Sequence, residues 1–490
     1  MLIFNPLYPS PIFMPMSKIL RSTVWTTAST VINIGLLLLQ LSILTRYISA
    51  DVFGQIAIIN LFIEIFTVFA LGGVSNFVIY KKELTQPQHN SIFLLALASG
   101  FLTFIIFFLL APVLAFLWGI DAITVPLQII AVILPISAMA AQYQAVALKR
   151  FLHATVAKVE IVARFSAFII ALLTIELGLY CLVSAMVSYQ LFRLLGFIFV
   201  FSREVNFSLK FETNIIKEAV SFGTYDIGGQ ALNIVRRQLD VLILSLTLPL
   251  NELGIYHIIK QLASRPAQAL QPIVNKIAFP AFSQEQKNIK ILSSLFVDIY
   301  TIQWFALALF YAPMVVASEL VAAILFGSNI AEYHWVLSAL ALFWCVRVGF
   351  GNLTGPLTQA VGKTKFGYYW NLCLLPLSAI IMFLSAQFGL LELAITLFAF
   401  KLCLLPAIKI LVLDRIIKIS FMQLIKPVVI FLLPLMLIQS VVLYAGNMFY
   451  PLQYHIHLIT LTISLCSMGL FYITKNKQLK NSLIRLKELA

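Results

Sequence analysis

The chain has 490 residues, of which 61% are hydrophobic and only 11% charged, and its mean hydropathy is +0.99. A soluble domain keeps about a quarter of its residues charged, so this composition excludes a soluble enzyme or binding module and points to an all-α polytopic membrane protein. In a soluble chain the net charge of +14 would suggest a nucleic-acid partner; in a membrane protein it reports Lys- and Arg-rich connections on one side of the bilayer.

Apolar segments follow one another at about 22–50, 52–79, 91–118, 124–148, 157–176, 179–201, 217–247, 252–283, 292–318, 331–361, 366–388, 391–413, 421–445 and 455–474. The reading is therefore about 14 transmembrane helices joined by short connections. Residues 1–16, with Pro6, Pro9, Pro11 and Pro15, do not read as a span, and a start at Met16 would put Lys18 and Arg21 directly before the first helix. The basic residues test the count independently. They fall on alternate connections: Lys81 and Lys82; Lys149, Arg150 and Lys158; Arg203, Lys210 and Lys217; Lys287 and Lys290; Lys363 and Lys365; Arg415 and Lys418; and the tail from Lys475 to Lys487. Only Arg46 breaks the rule. Alternation of this kind predicts an even number of spans with both termini cytoplasmic.

A repeat runs through the same frame. LTRYISADVFGQIAIIN at the first and second spans parallels LSLTLPLNELGIYHIIK at the seventh and eighth, VLAFLWG ending at Gly119 parallels VAAILFG ending at Gly327, and Gln144-Ala145-Val146 parallels Gln359-Ala360-Val361. A six-helix unit repeated in the same orientation gives two lobes related by a pseudo-two-fold axis along the membrane normal, as in parallel-repeat transporters. The lobes are expected at 17–205 and 206–415, with two extra helices at 416–474 and a basic cytoplasmic tail at 475–490. The repeat also predicts that the first, second, seventh and eighth spans line a common path.

Charge inside the spans is concentrated in the seventh and eighth. They carry Asp226, Arg236, Arg237, Asp240, Lys260, Arg265 and Lys276, and an ionised group near the bilayer centre costs a few kcal/mol or more unless it faces water or a partner. Arg347 sits near the middle of the tenth span and Glu64 near the middle of the second. Asp226, near the Gly228-Gly229 pair, is expected at a helix break, where it would bind a coupling cation such as Na+ or H+; Glu64 is read the same way. Arg236 has Asp240 four residues on, so a local charge pair is the alternative for both. Glu160, Arg164, Arg193, Asp298 and Lys401 read as local pairs or interfacial side chains. Cys181, Cys345, Cys373, Cys403 and Cys466 read as small buried apolar residues. Pro266, Pro272 and Pro280 predict kinks in the eighth span, and Tyr256 and Trp370 are candidates for stacking on sugar.

The runs RRQLDVLILSLTLPLNELGIYHIIKQLA and PIVNKIAFPAFSQEQ, with GGVSNFVIYKKELTQ and LLAPVLAFLWG in the first half, resemble the polysaccharide exporters of the Wzx type, within the multidrug, oligosaccharidyl-lipid and polysaccharide flippase superfamily. The similarity covers most of residues 17–415 through diffuse motifs. The resemblance implies a non-enzymatic flippase of the bacterial inner membrane that moves undecaprenyl-pyrophosphate-linked oligosaccharide for surface polysaccharide assembly, in company with the assembly machinery and membrane lipids. It implies no cofactor beyond a coupling ion. Arg236, Arg237, Arg265, Arg347 and Lys260 would then contact the pyrophosphate, Arg being suited to it by its forked donors and persistent charge. Asp226, Asp240 and Glu64 would be coupling or charge-partner groups. A cation-coupled multidrug exporter of the same superfamily is the alternative, with a membrane glycosyltransferase or polymerase behind it; no P-loop, paired outer carboxylates or His-rich cluster supports the latter.

Overall fold

The computed structural model describes residues 16–81, 84–150, 152–201, 212–449, 454–476 and 479–482, and among them it is helical with no strand. The segment 1–15, Lys82, Arg203, Lys210, and Lys477, Arg485 and Lys487 of the basic tail lie outside the described residues. The chain folds as two units, 1–246 and 247–490. The repeat draws its boundary at 205/206, at the other end of the seventh span.

The first unit contains α1 (Met16–Leu44), α2 (Ala50–Leu71), α3 (Val74–Tyr80), α4 (Gln86–Leu117), α5 (Thr124–Ile130), α6 (Ile133–Lys149), α7 (His153–Leu173), α8 (Leu179–Phe201) and α9 (Thr213–Thr247). The second apolar segment, read as one span, is broken into α2 and α3. The break is at Gly72 and Gly73, which take φ of 59° and 66°, a left-handed conformation that glycine adopts without a Cβ penalty. Beyond the break, Val74, Phe77 and Val78 of α3 bury against Ile92 and Ala96 of α4, Ala145 of α6, and Ile215 and Ala219 of α9. A second core joins α4, α6, α7 and α8 through Phe93, Tyr143, Val159, Leu194 and Phe197.

The second unit contains α10 (Leu250–Gln284), α11 (Ile289–Val316), α12 (Ser318–Phe326), α13 (Ser328–Ala331), α14 (His334–Gly351), α15 (Thr354–Ala360), α16 (Thr364–Ala386), α17 (Leu390–Cys403), α18 (Leu405–Ile408), α19 (Phe421–Pro427), α20 (Leu433–Phe449) and α21 (Tyr454–Lys475). Its core is an aromatic column on α11: Phe296, Tyr300 and Trp304 recur every four residues, on one helix face, with ring centroids 5.7 and 6.3 Å apart. Phe282 of α10 and Phe350 of α14 extend the column at 6.1 and 4.9 Å. Large apolar side chains such as Leu109, Phe116, Phe199, Leu437 and Tyr444 remain exposed on the helices, as they must where the surrounding solvent is lipid.

Nine helical stretches among the described residues are long and apolar enough to cross a membrane. Both α9 and α10, at 35 residues each, fall outside the nine because their charged and amide residues dilute the apolar content. The paired motifs of the repeat adopt matching local conformations. Extended residues at Ser49 (φ −66°, ψ 155°) and Pro249 (φ −59°, ψ 152°) precede α2 and α10, and Gly119 and Gly327 both take positive φ, at 67° and 87°. Basic connections also meet within each unit. Lys149 donates to the Lys81 carbonyl at 2.5 Å and Lys81 pairs with Glu218; in the second unit Lys363 donates to the Arg415 carbonyl at 2.8 Å.

Two sequence expectations need correction. The helix break near Asp226 does not occur: α9 is continuous through Gly228 and Gly229, since a helix satisfies its own backbone bonds and membrane helices tolerate glycine. Of the cysteines, Cys181 and Cys345 are buried but Cys373, Cys403 and Cys466 are exposed, on faces where an apolar solvent makes burial unnecessary.

Candidate functional site

Within the first unit, α9 runs antiparallel to α2 and α3 and is tied to its neighbours by polar contacts along its whole length. At its start the Glu212 carboxylate accepts from Gln88 Nε2 at 3.0 Å, and the Glu212 amide donates to the Ser91 hydroxyl at 2.9 Å. Glu218 pairs with Lys81 further along the helix. Asp226 Oδ2 then accepts from Asn76 Nδ2 of α3 at 2.9 Å and from Gln230 Nε2 of its own helix at 2.6 Å. Arg237 Nη2 donates to Glu64 Oε2 of α2 at 2.9 Å, and near the end Trp118 Nε1 donates to Ser245 Oγ at 3.0 Å.

The backbone makes this seam close. A Cβ built on Gly223 would collide with the Gly72 carbonyl oxygen, and one on Gly73 would stand 2.8 Å from the Gly223 Cα. Only glycines let the α2–α3 break and α9 approach to that distance. Asp226 lies three residues past Gly223, so the contact holds it beside Asn76.

Arg237 lies ten residues before the end of α9, about 15 Å along the axis. Its ion pair with Glu64 is not sealed: the two side chains are 57% and 37% exposed. Arg236 is also exposed, whereas Asp240 is 8% exposed with Oδ1 accepting from the Val241 amide at 2.9 Å.

The second unit handles its central arginine differently. Arg265 of α10 donates from Nη2 to Gln261 Oε1 at 2.9 Å and from Nη1 to Gln268 Oε1 at 3.0 Å. The amides continue outward, Gln261 Nε2 lying 2.8 Å from His257 Nε2 and Gln268 Nε2 donating to Ser264 Oγ at 3.0 Å. Spacings of three and four put these groups on one face of the helix. The two amides fix the orientation of the guanidinium fork.

Pro266 sits beside this array, and proline removes one rung of the helix ladder. The buried Tyr311 hydroxyl of α11 braces the same turn: it donates to the Ala263 carbonyl at 2.9 Å and accepts from the Ala267 amide at 3.2 Å. The helix remains continuous through Pro266, Pro272 and Pro280. Arg347, at the midpoint of the His334–Ala360 stretch, lies over the rings of Trp344 and Phe343 at 4.6 and 5.9 Å, half-buried and partly desolvated, where cation–π attraction is strongest. Lys260 is half-buried on α10.

The residues expected to carry charge inside the spans are thus divided between the units, Glu64, Asp226, Arg236, Arg237 and Asp240 in the first and Lys260, Arg265, Lys276 and Arg347 in the second, with Glu64 and Arg237 in direct contact. Tyr256 is 1% exposed, its ring part of the core rather than presented to a sugar. Reasoning from sequence missed Asn76, Gln261, Gln268 and Tyr311. The two glutamines were legible in principle, lying four before and three after Arg265. Asn76 reaches its partner across 150 residues of chain, and Tyr311 reaches Ala263 across 48, where no local pattern reports them.

Comparison with known proteins gives the arrangement its family. Residues 43–334, more than half of the chain, match the family described as "Polysaccharide biosynthesis protein". The amylovoran biosynthesis protein AmsL of Erwinia amylovora is 24% identical over 302 residues, covering 61% of this chain and 77% of that protein. The lipopolysaccharide biosynthesis protein WzxC of Escherichia coli K12 is 21% identical over 359 residues, covering 72% of each. Among solved structures, the lipid II flippase MurJ in an inward closed conformation superposes with a TM-score of 0.71 at 12% identity, covering 92% of this chain and 99% of that one; at that identity the likeness is one of fold. With the apolar helices described above, these matches make the chain a multi-pass membrane protein and a member of the polysaccharide biosynthesis protein family, as its resemblance to the Wzx-type exporters implied.

Proposed function

We propose that the protein is a flippase of the bacterial inner membrane that translocates an undecaprenyl-pyrophosphate-linked oligosaccharide repeat unit for surface polysaccharide assembly, by ion-coupled alternating access through about fourteen spans. Family membership and the MurJ-like fold support a lipid-linked oligosaccharide as cargo. The observation that carries the reading is an arginine well inside each of the two most charge-rich helices: Arg237 in a part-exposed ion pair with Glu64, and Arg265 with its fork oriented by Gln261 and Gln268.

A pyrophosphate is a multiply charged anion that must leave bulk water to cross. Bidentate guanidinium contacts replace part of its hydration. In this reading Arg236, Arg237, Arg265, Arg347 and Lys260 supply that contact. When phosphate takes Arg237, Glu64 loses its partner and becomes a site for H+ or Na+, which ties ion movement to cargo movement. Asp226 and Asp240 are the other carboxylates available for that role. No covalent chemistry is required of the protein.

The test is accumulation of lipid-linked repeat units in a strain lacking the gene. Complementation with the wild type clears them, while Arg265→Ala, or Arg236→Ala with Arg237→Ala, leaves them on the cytoplasmic leaflet at equal membrane levels of protein. If no lipid-linked unit builds up without the gene and sensitivity to drugs rises instead, the multidrug exporter reading replaces this one.

A further inference from the structure

The end of the second unit where α11 and α19 begin holds a cavity of about 390 Å³, lined by Lys290, Ser294, Asp298, Lys418, Gln423 and Asn481 among others. That volume is in the range of small-ligand sites. Three basic segments of the sequence meet here: the connection before α11, the connection before α19, and the C-terminal tail. The tail forms one wall. Leu479 is fully buried, its amide donating to Asn476 Oδ1 at 3.0 Å, and the buried Ser482 donates to Asp298 Oδ1 at 2.7 Å.

The charge balance of the lining is positive. Among the described residues neither Lys290 nor Lys418 has a hydrogen bond or ion pair to another side chain or to the backbone. Asp298, the one acid among the described residues of the lining, is 7% exposed and already accepts the Ser482 hydroxyl. Gln423 has its Oε1 committed to the Ser420 amide at 2.9 Å in a capping box, which leaves the Nε2 donor as the group it can offer a ligand. Two ammonium groups and carboxamide donors around one cavity are the complement of a phosphate.

The neighbours of the lining residues say where the phosphate comes from. Ile289 and Ile291 on α11 are 50% and 44% exposed, and Phe421 and Met422 on α19 are 41% and 71% exposed. A cationic cavity whose lining residues Lys290 and Gln423 have exposed apolar neighbours along the same helices, at the ends of helices long and apolar enough to cross a membrane, matches an anionic lipid with its headgroup inside and its chains against those apolar side chains. We propose that this cavity binds the phosphate of an anionic phospholipid headgroup, separately from the arginines assigned to cargo.

The test uses the delipidated full-length protein, with phosphatidylglycerol, phosphatidylethanolamine and inorganic phosphate as three separate probes. Retention is read by native mass spectrometry and stability by thermal unfolding. Phosphatidylglycerol is expected to be retained over phosphatidylethanolamine and to raise the unfolding temperature. Lys290→Ala with Lys418→Ala should weaken its retention roughly tenfold or more, the effect of removing two lysines from a membrane-surface site, and Lys290→Arg with Lys418→Arg should restore it. Lys418→Gln alone, a change on an exposed connection, keeps the test open should the double variant not fold, and is expected to weaken retention severalfold. Equal retention of the two lipids, or retention unchanged in the alanine and glutamine variants, overturns the proposal. Stabilisation by inorganic phosphate alone, lost in the variants, would assign the site to a free phosphate and overturn its lipid source.

Discussion

The helices α9 and α10 follow one another in the chain, have the same length, and each carries an arginine well inside it, yet they hold it by different means. Arg237 on α9 reaches to Glu64 on another helix, and Asp226 to Asn76 on a third. Arg265 on α10 is held by Gln261 and Gln268 of its own helix. Cross-helix partners tie the polar contacts of α9 to the positions of α2 and α3. Partners on the same helix move with Arg265, so these contacts survive a rigid movement of α10.

Breaking the close seat of α9 should have the largest effect on stability. Gly223→Ala would place a Cβ against the Gly72 carbonyl, and overpacking of this kind costs about 1–3 kcal/mol. Gly228→Ala and Gly229→Ala, on the same helix with nothing within 4 Å of the added Cβ, should be neutral or stabilise by up to about 1 kcal/mol through helix propensity. Thermal unfolding in detergent, compared across the three, reads the contrast; equal losses at all three positions would mean that the seam is not what holds α9.

Tyr311→Phe probes the other helix. It removes the hydroxyl that braces the turn at Pro266, and a loss of about 1 kcal/mol is expected in the same assay, with no change in the Glu64 and Arg237 contact of the other unit. The smallest effect on stability belongs to that ion pair. A double-mutant cycle with Glu64→Gln and Arg237→Gln should give a coupling of about 0.2–1 kcal/mol, since both side chains are more than a third exposed, and the coupling should fall as salt is raised. The matching cycle for Arg265 with Gln261, between a charge and a neutral amide, should respond less to salt.

Much of this fold is legible in the sequence because membrane crossing imposes its pattern directly. Apolar runs and alternating basic connections marked the helices, and contacts such as Lys149 with Lys81 and Lys363 with Arg415 bring those connections together within each unit. The repeat anticipated the matched starts of α2 and α10. What stayed hidden has a common cause. The pairing of Glu64 with Arg237 spans 173 residues, and both residues stood out singly as charges in apolar runs, but no periodicity reports a partner at that separation. Gly72, Gly73 and Gly223 were hidden for a related reason: glycine is ordinary in membrane helices, so only the packed structure distinguishes those that permit a close approach from Gly228 and Gly229, which face open space.

If mid-membrane arginines carry a pyrophosphate-linked cargo across, the decisive quantity is the flipping rate of a fluorescent undecaprenyl-pyrophosphate oligosaccharide in liposomes containing the purified protein. The wild type should accelerate flipping over protein-free liposomes. Arg265→Ala, and Arg236→Ala with Arg237→Ala, should each reduce the protein-dependent rate by roughly tenfold or more, the loss expected on removing a charge-assisted contact. A wild-type rate equal to that of empty liposomes, or arginine variants as fast as the wild type, would rule out transport of this cargo on those arginines.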